Sequence, residues 1–166
     1  CKPTSWLSAD GDLSRVVKLI SRSKRIIVVT GAGISASCGI PTFRGDGQFY
    51  QTVAQEFDLP SGHSIMDAKY FRRDPRPFFR VARRLCPPGA APSPTHAFVR
   101  RLERGGRLLR QYTQNIDTLE RAAGVRRVVY CHGSFATCTC TACGARYDGR
   151  AIEGDIRKGR VPLCGC

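Results

Sequence analysis

The stretch Lys24-Arg25-Ile26-Ile27-Val28-Val29-Thr30-Gly31-Ala32-Gly33-Ile34-Ser35-Ala36 decides the fold. Ile26–Thr30 is an unbroken β-branched run with charge before it and glycine after it, the signature of a short strand buried on both faces. Gly31-Ala32-Gly33 turns the chain, and residues 34–39 are expected to open a helix. The same alternation continues outward. Upstream, Leu13, Val16, Val17 and Ile20 take the i, i+3, i+4, i+7 spacing of an amphipathic helix over 12–22, with Asp10 or Asp12 as its cap. Downstream, helical pieces are expected around 64–70 and 75–85, and Cys86–Pro94 reads as a connector. Ser93-Pro94 starts a helix carrying Ala97, Phe98 and Leu102, which Gly105-Gly106 ends. Leu108–Tyr112 is a second strand, Thr118–Ala123 a short helix stopped by Gly124, and Arg127–Tyr130 a third strand. Strands alternating with helices predict an α/β fold with a parallel sheet. From Phe135 onward the chain reads as cysteine-rich hairpin.

The turn at Gly31–Ala36 fits G-x-G-x-x-G/A, with Ala36 in the last place. Gly31 permits the tight turn, Gly33 lets backbone approach a pyrophosphate, and the following helix end offers unbonded N–H groups. A bare strand-to-helix turn would read the same way at this point. The acidic residue that a dehydrogenase carries about 20 positions later is absent. Gly39-Ile40-Pro41-Thr42-Phe43-Arg44 follows instead, which argues against ordinary hydride transfer.

Of nine cysteines, Cys138, Cys140, Cys143, Cys164 and Cys166 crowd the end of the chain, a spacing that suits metal ligation in a reducing compartment better than a disulfide framework. Cys140-x-x-Cys143 is a zinc-knuckle pair. Cys164 suits a second knuckle, and Cys166 offers a tighter Cys-x-Cys bite. The fourth ligand is therefore Cys166 or a residue beyond it, with Cys138 as a substitute thiol. Four protein ligands leave no open position, so the zinc would be structural.

Lys and Arg number 27 against 13 Asp and Glu, a net charge of +14 that favours acidic or phosphate-bearing partners. The arginines are scattered through 72–84 and 100–110, and in 135–166 the basic residues Arg146, Arg150, Arg157, Lys158 and Arg160 are offset by Asp148, Glu153 and Asp155. Nucleic acid could meet such a surface, but a zinc-containing nucleic-acid module is the weaker reading of function. The longest purely apolar run, Ile26–Val29, is far short of a membrane span, and no signal-peptide pattern is present. Beginning and ending on cysteine, the chain reads as part of something longer.

Gly31-Ala32-Gly33-Ile34-Ser35, Gly39-Ile40-Pro41-x-Phe43-Arg44, Thr113-Gln114-Asn115-Ile116-Asp117 and His132-Gly133-Ser134, in this order, resemble the sirtuins. Tyr70-Phe71, Asp74-Pro75-Arg76-Pro77-Phe78-Phe79 and Phe135-Ala136-Thr137 resemble their nuclear, class I branch. The resemblance runs from about residue 24 to the end. It implies a Rossmann-like parallel sheet, incomplete in this chain, over 12–134, with a small zinc-ribbon module over 135–166. It implies NAD-dependent removal of acyl groups from protein lysine, with NAD cleaved to nicotinamide and the acyl group passed to ADP-ribose. Protein mono-ADP-ribosylation is the nearest competing reaction. An acetylated-lysine protein or peptide, a histone-like one among the options, is the implied substrate, and the nucleus is favoured over the cytoplasm.

The same resemblance implies roles for residues. Gly31 shapes the turn, while Ala32, Gly33 and Ile34 line the diphosphate and ribose. Phe43 shields the nicotinamide ribose from water, Arg44 holds the phosphate side, and Tyr50 belongs to a flexible cofactor loop. Gln114 and Asn115 contact the ribose, Asn115 also as a catalytic residue, and Ile116 and Asp117 line the carboxamide pocket. His132 is the general base, a task suited to an imidazole near neutral pH. Thr42 stands where the family usually has Asp, so cofactor affinity is open to question there. His63 and His96 are read as structural or surface residues, and Cys38 and Cys131 as packing residues. A half-formed substrate groove implies poor activity for the isolated chain.

Overall fold

The structure, a computed structural model, describes residues 9–42, 47–87 and 89–166. In chain order the elements are α1 (Ala9–Arg22), β1 (Ile26–Thr30), α2 (Gly33–Ala36), α3 (Gly47–Glu56), a 3-10 turn (Gly62–Met66), α4 (Ala68–Arg73), α5 (Arg76–Leu85), α6 (Pro94–Arg104), β2 (Leu108–Thr113), α7 (Leu119–Ala122), β3 (Val128–Tyr130), β4 (Thr137–Thr139), β5 (Arg146–Asp148) and α8 (Arg150–Lys158). β2 runs between β1 and β3, and both pairings are parallel. Thr30, Thr113 and Tyr130 share one register row, so the three carboxyl ends lie level. Ligands of open α/β sheets gather beyond such ends.

Three apolar clusters hold these elements. Val99 and Leu102 of α6 pack on Leu108 and Val125, with Ile26 and Val28 of β1 at the edge. Tyr50 and Val53 of α3 meet Ile65, Val81, Leu85 and Leu119. Phe79 and Ala82 of α5 meet Ile156 of α8, which fastens the cysteine-bearing segment to the helical layer.

The parallel α/β sheet agrees with the sequence reading, and several details differ. α3 and α8 were not foreseen. In α3 the buried residues Tyr50, Val53 and Ala54 form only a narrow stripe behind glycines, and in α8 Gly154 interrupts Ile152 and Ile156. The helix expected over 34–39 is a single turn, because the chain adopts φ +79° at Gly39. The β1 run, expected to be covered on both faces, is covered on one: Ile27 is 56% and Val29 69% exposed. Leu13, Val16 and Val17 of α1 are exposed as well, while Ile20 reaches the core. No helix among the described residues is long and apolar enough to cross a membrane.

Candidate active site and metal centre

The turn after β1 and the turn after β2 are joined by side chains. Gln114 N–H donates to the Thr30 carbonyl at 3.0 Å. Asn115 is 8% exposed, and its Nδ2 donates to the Ser35 hydroxyl at 3.1 Å. The Asn115 N–H donates to Thr113 Oγ1 at 3.1 Å, which fixes the direction of the turn. Asp117 Oδ1 then caps the Leu119 N–H at 2.9 Å. Between them Thr118 takes φ +66°, a left-handed conformation costly for a non-glycine residue and held here by the turn around it.

β3 delivers the histidine. Cys131 N–H donates to the Thr113 carbonyl at 2.9 Å, and His132 follows at the strand's end with Nδ1 3.1 Å from the Gln114 carbonyl oxygen. A carbonyl can only accept, so Nδ1 carries the hydrogen in that bond, and Nε2 of the neutral ring keeps its lone pair. Ala32, Gln114, Asn115, Ile116, Asp117 and His132 together line one cleft of about 700 Å³.

The opposite wall is aromatic. Phe71, Phe78 and Phe135 line the cleft, with ring centroids 5.2 Å apart for Phe71–Phe78 and 6.2 Å for Phe78–Phe135. Ile40 and Met66 complete it. The sequence assigns these residues no site role, because Phe71 lies on α4 and Phe78 on α5, with the chain extended at Asp74 between them. An apolar wall facing a few convergent polar groups is the usual make-up of a small-molecule site.

The remaining expected residues are distributed as follows. Gly31, Gly33 and Ile34 form the turn beside the cleft. Thr42 is the last described residue before the segment containing Phe43 and Arg44, and those two expectations lie outside the described residues. Tyr50 is only 2% exposed within α3, packed in the core rather than carried on a loop, because its ring fills the space between α3 and the helices behind it. Cys131 is exposed, not packed, since β3 ends at the rim of the sheet. Cys38 packs against the core as expected. His96 is fully buried and structural, and His63 is exposed.

A Cβ built on Gly33 would meet nothing within 4 Å, and its φ lies outside the left-handed region. Neither backbone strain nor protein packing therefore calls for glycine at that position, whereas glycine inside a helical turn costs about 1 kcal/mol relative to alanine. The open space beside Gly33 fits the close approach of a ligand to bare backbone. The amides of Ile34 and Ser35 already donate to the carbonyls of Gly31 and Ala32, so the sequence-based picture of a whole helix end facing the phosphates is reduced to the bend itself.

The sulfur atoms of Cys140, Cys143, Cys164 and Cys166 lie within 4.8 Å of one another. Cys143–Cys164 is 3.7 Å and Cys140–Cys166 3.9 Å. Zinc–sulfur bonds of about 2.3 Å in a tetrahedron set the sulfurs about 3.8 Å apart, so the set fits zinc. Gly144, at φ +74°, closes the first knuckle by donating to the Cys140 carbonyl at 3.0 Å. Tyr147 Oη lies 2.9 Å from Cys164 Sγ, and this bond foremost draws the Cys164 thiol down to about 6. Hydrogen bonding to Cys164, then to Cys143 and Cys140, pushes Cys166 up to about 12. A divalent cation bound here would displace the protons that the thiols hold. Cys166 joins the cluster despite its short bite, while Cys138 stays outside it, 3.9 Å from the Tyr147 carbonyl.

Comparison with known proteins agrees with this geometry. The model of the Sir2 family matches residues 31–166. The NAD-dependent histone deacetylase sirtuin-1 of Drosophila melanogaster is 51% identical over 164 residues, which is 98% of this chain and 20% of that protein. The NAD-dependent protein deacetylase sir-2.1 of Caenorhabditis elegans is 50% identical, covering 92% of this chain and 25% of its own. The Homo sapiens NAD-dependent protein deacetylase sirtuin-1 is 50% identical, covering 89% and 20%. The chain thus spans 20–25% of the length of these relatives. A solved structure reported under "Structural Basis for the Mechanism and Regulation of Sir2 Enzymes" superposes with a TM-score of 0.77 at 35% identity, covering 95% of this chain and 60% of that one.

Proposed function

The chain belongs to the Sir2 family, and from that premise we propose that it carries the NAD-binding and catalytic portion of an NAD-dependent protein-lysine deacetylase. The observation that carries this reading is the convergence of the Ala32, Asn115–Asp117 and His132 segments on one cleft beyond the carboxyl ends of β1, β2 and β3. Residues 12–134 would make up the cofactor portion and 135–166 the zinc-bearing portion.

Bound NAD supplies an electrophilic ribose carbon with nicotinamide as its leaving group. The chain's own residues would bind, dry and orient around it. Gly33 offers bare backbone to the diphosphate, with Gly31, Ala32 and Ile34 shaping the turn. Gln114 and Asn115 would meet the ribose, and Asn115 is braced for this by its bond to Ser35. Ile116 and Asp117 would receive the carboxamide, Asp117 held at the required angle by its bond to the Leu119 amide. Phe71, Phe78 and Phe135 keep water from the reacting centre, which strengthens every polar contact inside it. His132, fixed through Nδ1, would take a proton from a sugar hydroxyl at Nε2. Phe43, Arg44 and Thr42 remain the proposed complement on the loop side.

Zinc on the four cysteines would serve structure alone, since the protein fills every coordination position. The substrate would be an acetylated protein, with a histone as the finer proposal, supported by relatives named histone deacetylases, and the nucleus, where histones reside, as its place of action. The test is nicotinamide release from NAD in the presence of an acetyl-lysine peptide. Release coupled to deacetylation is expected, and a folded, zinc-loaded protein that neither binds NAD nor releases nicotinamide would overturn the proposal.

A further inference from the structure

The glycine turn is not held by the sheet alone. Ser93, the N-cap of α6, is 6% exposed, and its hydroxyl lies 3.0 Å from the Ile34 carbonyl oxygen across 59 residues of sequence. A carbonyl cannot donate, so this bond consumes the single hydroxyl hydrogen of Ser93. It clasps the turn to a helix that is itself anchored by Val99 and Leu102 in the core.

His96 closes the cap around Ser93. It is fully buried, and its Nδ1 lies 2.8 Å from Ser93 Oγ and 3.1 Å from the Ser93 N–H. Burial first of all keeps the ring neutral by lowering its pKa, with the Asp117 charge opposing. A neutral ring has two arrangements. With its hydrogen on Nδ1, it donates to Ser93 Oγ and leaves the hydroxyl hydrogen to Ile34. With its hydrogen on Nε2, Nδ1 accepts from the Ser93 N–H, the reciprocal half of the capping box, and the hydroxyl hydrogen stays with Ile34. Nε2 is buried and meets no hydrogen-bond partner among the described residues, so the Ser93 N–H facing Nδ1 is what selects the form with its lone pair there.

We propose that Ser93 is a positioning residue that holds the Gly31–Ser35 turn in its cofactor-receiving shape, with His96 completing the cap in which it sits. This rests on the reading that the turn receives NAD. Neither residue reaches the cleft, so the effect falls on binding and not on the chemical step.

The test compares Ser93→Ala, Ser93→Asp and Ser93→Thr by amide hydrogen exchange of residues 32–35 without NAD, and by KM for NAD and kcat. Asp keeps the helix cap but cannot donate to Ile34, whereas Thr keeps both. Ala and Asp are each expected to speed exchange in the turn and raise KM by about fivefold, the factor one net hydrogen bond is worth, with kcat little changed and Thr near wild type. An Asp variant indistinguishable from wild type would reduce Ser93 to a helix cap and overturn the proposal, as would unchanged exchange in a folded Ala variant. A wild-type protein that binds no NAD overturns the functional reading instead, and the exchange arm still decides the clasp.

Discussion

His132 takes its position from the Gln114 carbonyl, 3.1 Å from Nδ1, so the ring is oriented by the backbone of the turn that lines the cleft beside it. The ring is exposed and makes no core contact, so its removal should leave folding intact. His132→Ala is expected to lower kcat by about 10²–10⁴, the usual contribution of a general base, with the melting temperature and the KM for NAD close to wild type. Steady-state nicotinamide release coupled to deacetylation measures this, and an unchanged kcat would remove His132 from the chemistry.

Asn115 should behave differently, because it serves both site and scaffold. Its Nδ2 satisfies Ser35, which is wholly buried. Asn115→Ala strands that hydroxyl, at a cost of about 1–3 kcal/mol in stability. It also removes a polar group from the cleft, so NAD affinity should fall together with stability. Denaturant unfolding and calorimetric titration separate the two effects. A loss of stability with unchanged affinity would confine Asn115 to the scaffold.

The metal centre makes a prediction about folding. β4 and β5 are three-residue strands, and both knuckles depend on the shared ion for closure. Cys143→Ser or a strong chelator should remove zinc and lower the melting temperature. The β4–β5 hairpin should lose hydrogen-exchange protection before the parallel sheet does. Zinc content by elemental analysis, read beside exchange, tests this. A folded protein with no zinc at all would overturn the assignment.

What was legible in the sequence follows from how local each signal is. Ile26–Thr30 and its glycine turn are specified by residues side by side, so the strand and bend were readable. Coverage of Ile27 and Val29 depends on distant chain, and it was misjudged. Cysteines declare their chemistry by type, yet only folding brings Cys166 beside Cys140 and leaves Cys138 out. Tyr50 illustrates the reverse: a resemblance placed it on a flexible loop, whereas the period of α3 turns it into the core. The aromatic wall was missed because Phe71, Phe78 and Phe135 come from three separate segments.

Glu120 carries the last prediction. It is wholly buried in α7, and neither carboxylate oxygen has a hydrogen-bond partner among the described residues. Burial raises its pKa above the ordinary 4.5, and the Asp117 charge adds to this, while the nearby Thr113 hydroxyl opposes it. A carboxyl whose folded pKa lies above its unfolded one favours the protonated form in the fold. The folded state therefore gains nothing from ionisation there. The contribution of Glu120 to stability is fully present below about pH 4.5 and is lost as pH rises from there through the raised folded pKa, by at most about 1.4 kcal/mol per pH unit for one proton. Glu120→Gln keeps the shape and cannot ionise, so it should be more stable than wild type at pH 8 and nearly equal at pH 4.5. Melting curves of the two proteins across that range give the difference directly, and parallel pH profiles would mean that Glu120 is ionised and satisfied in the fold.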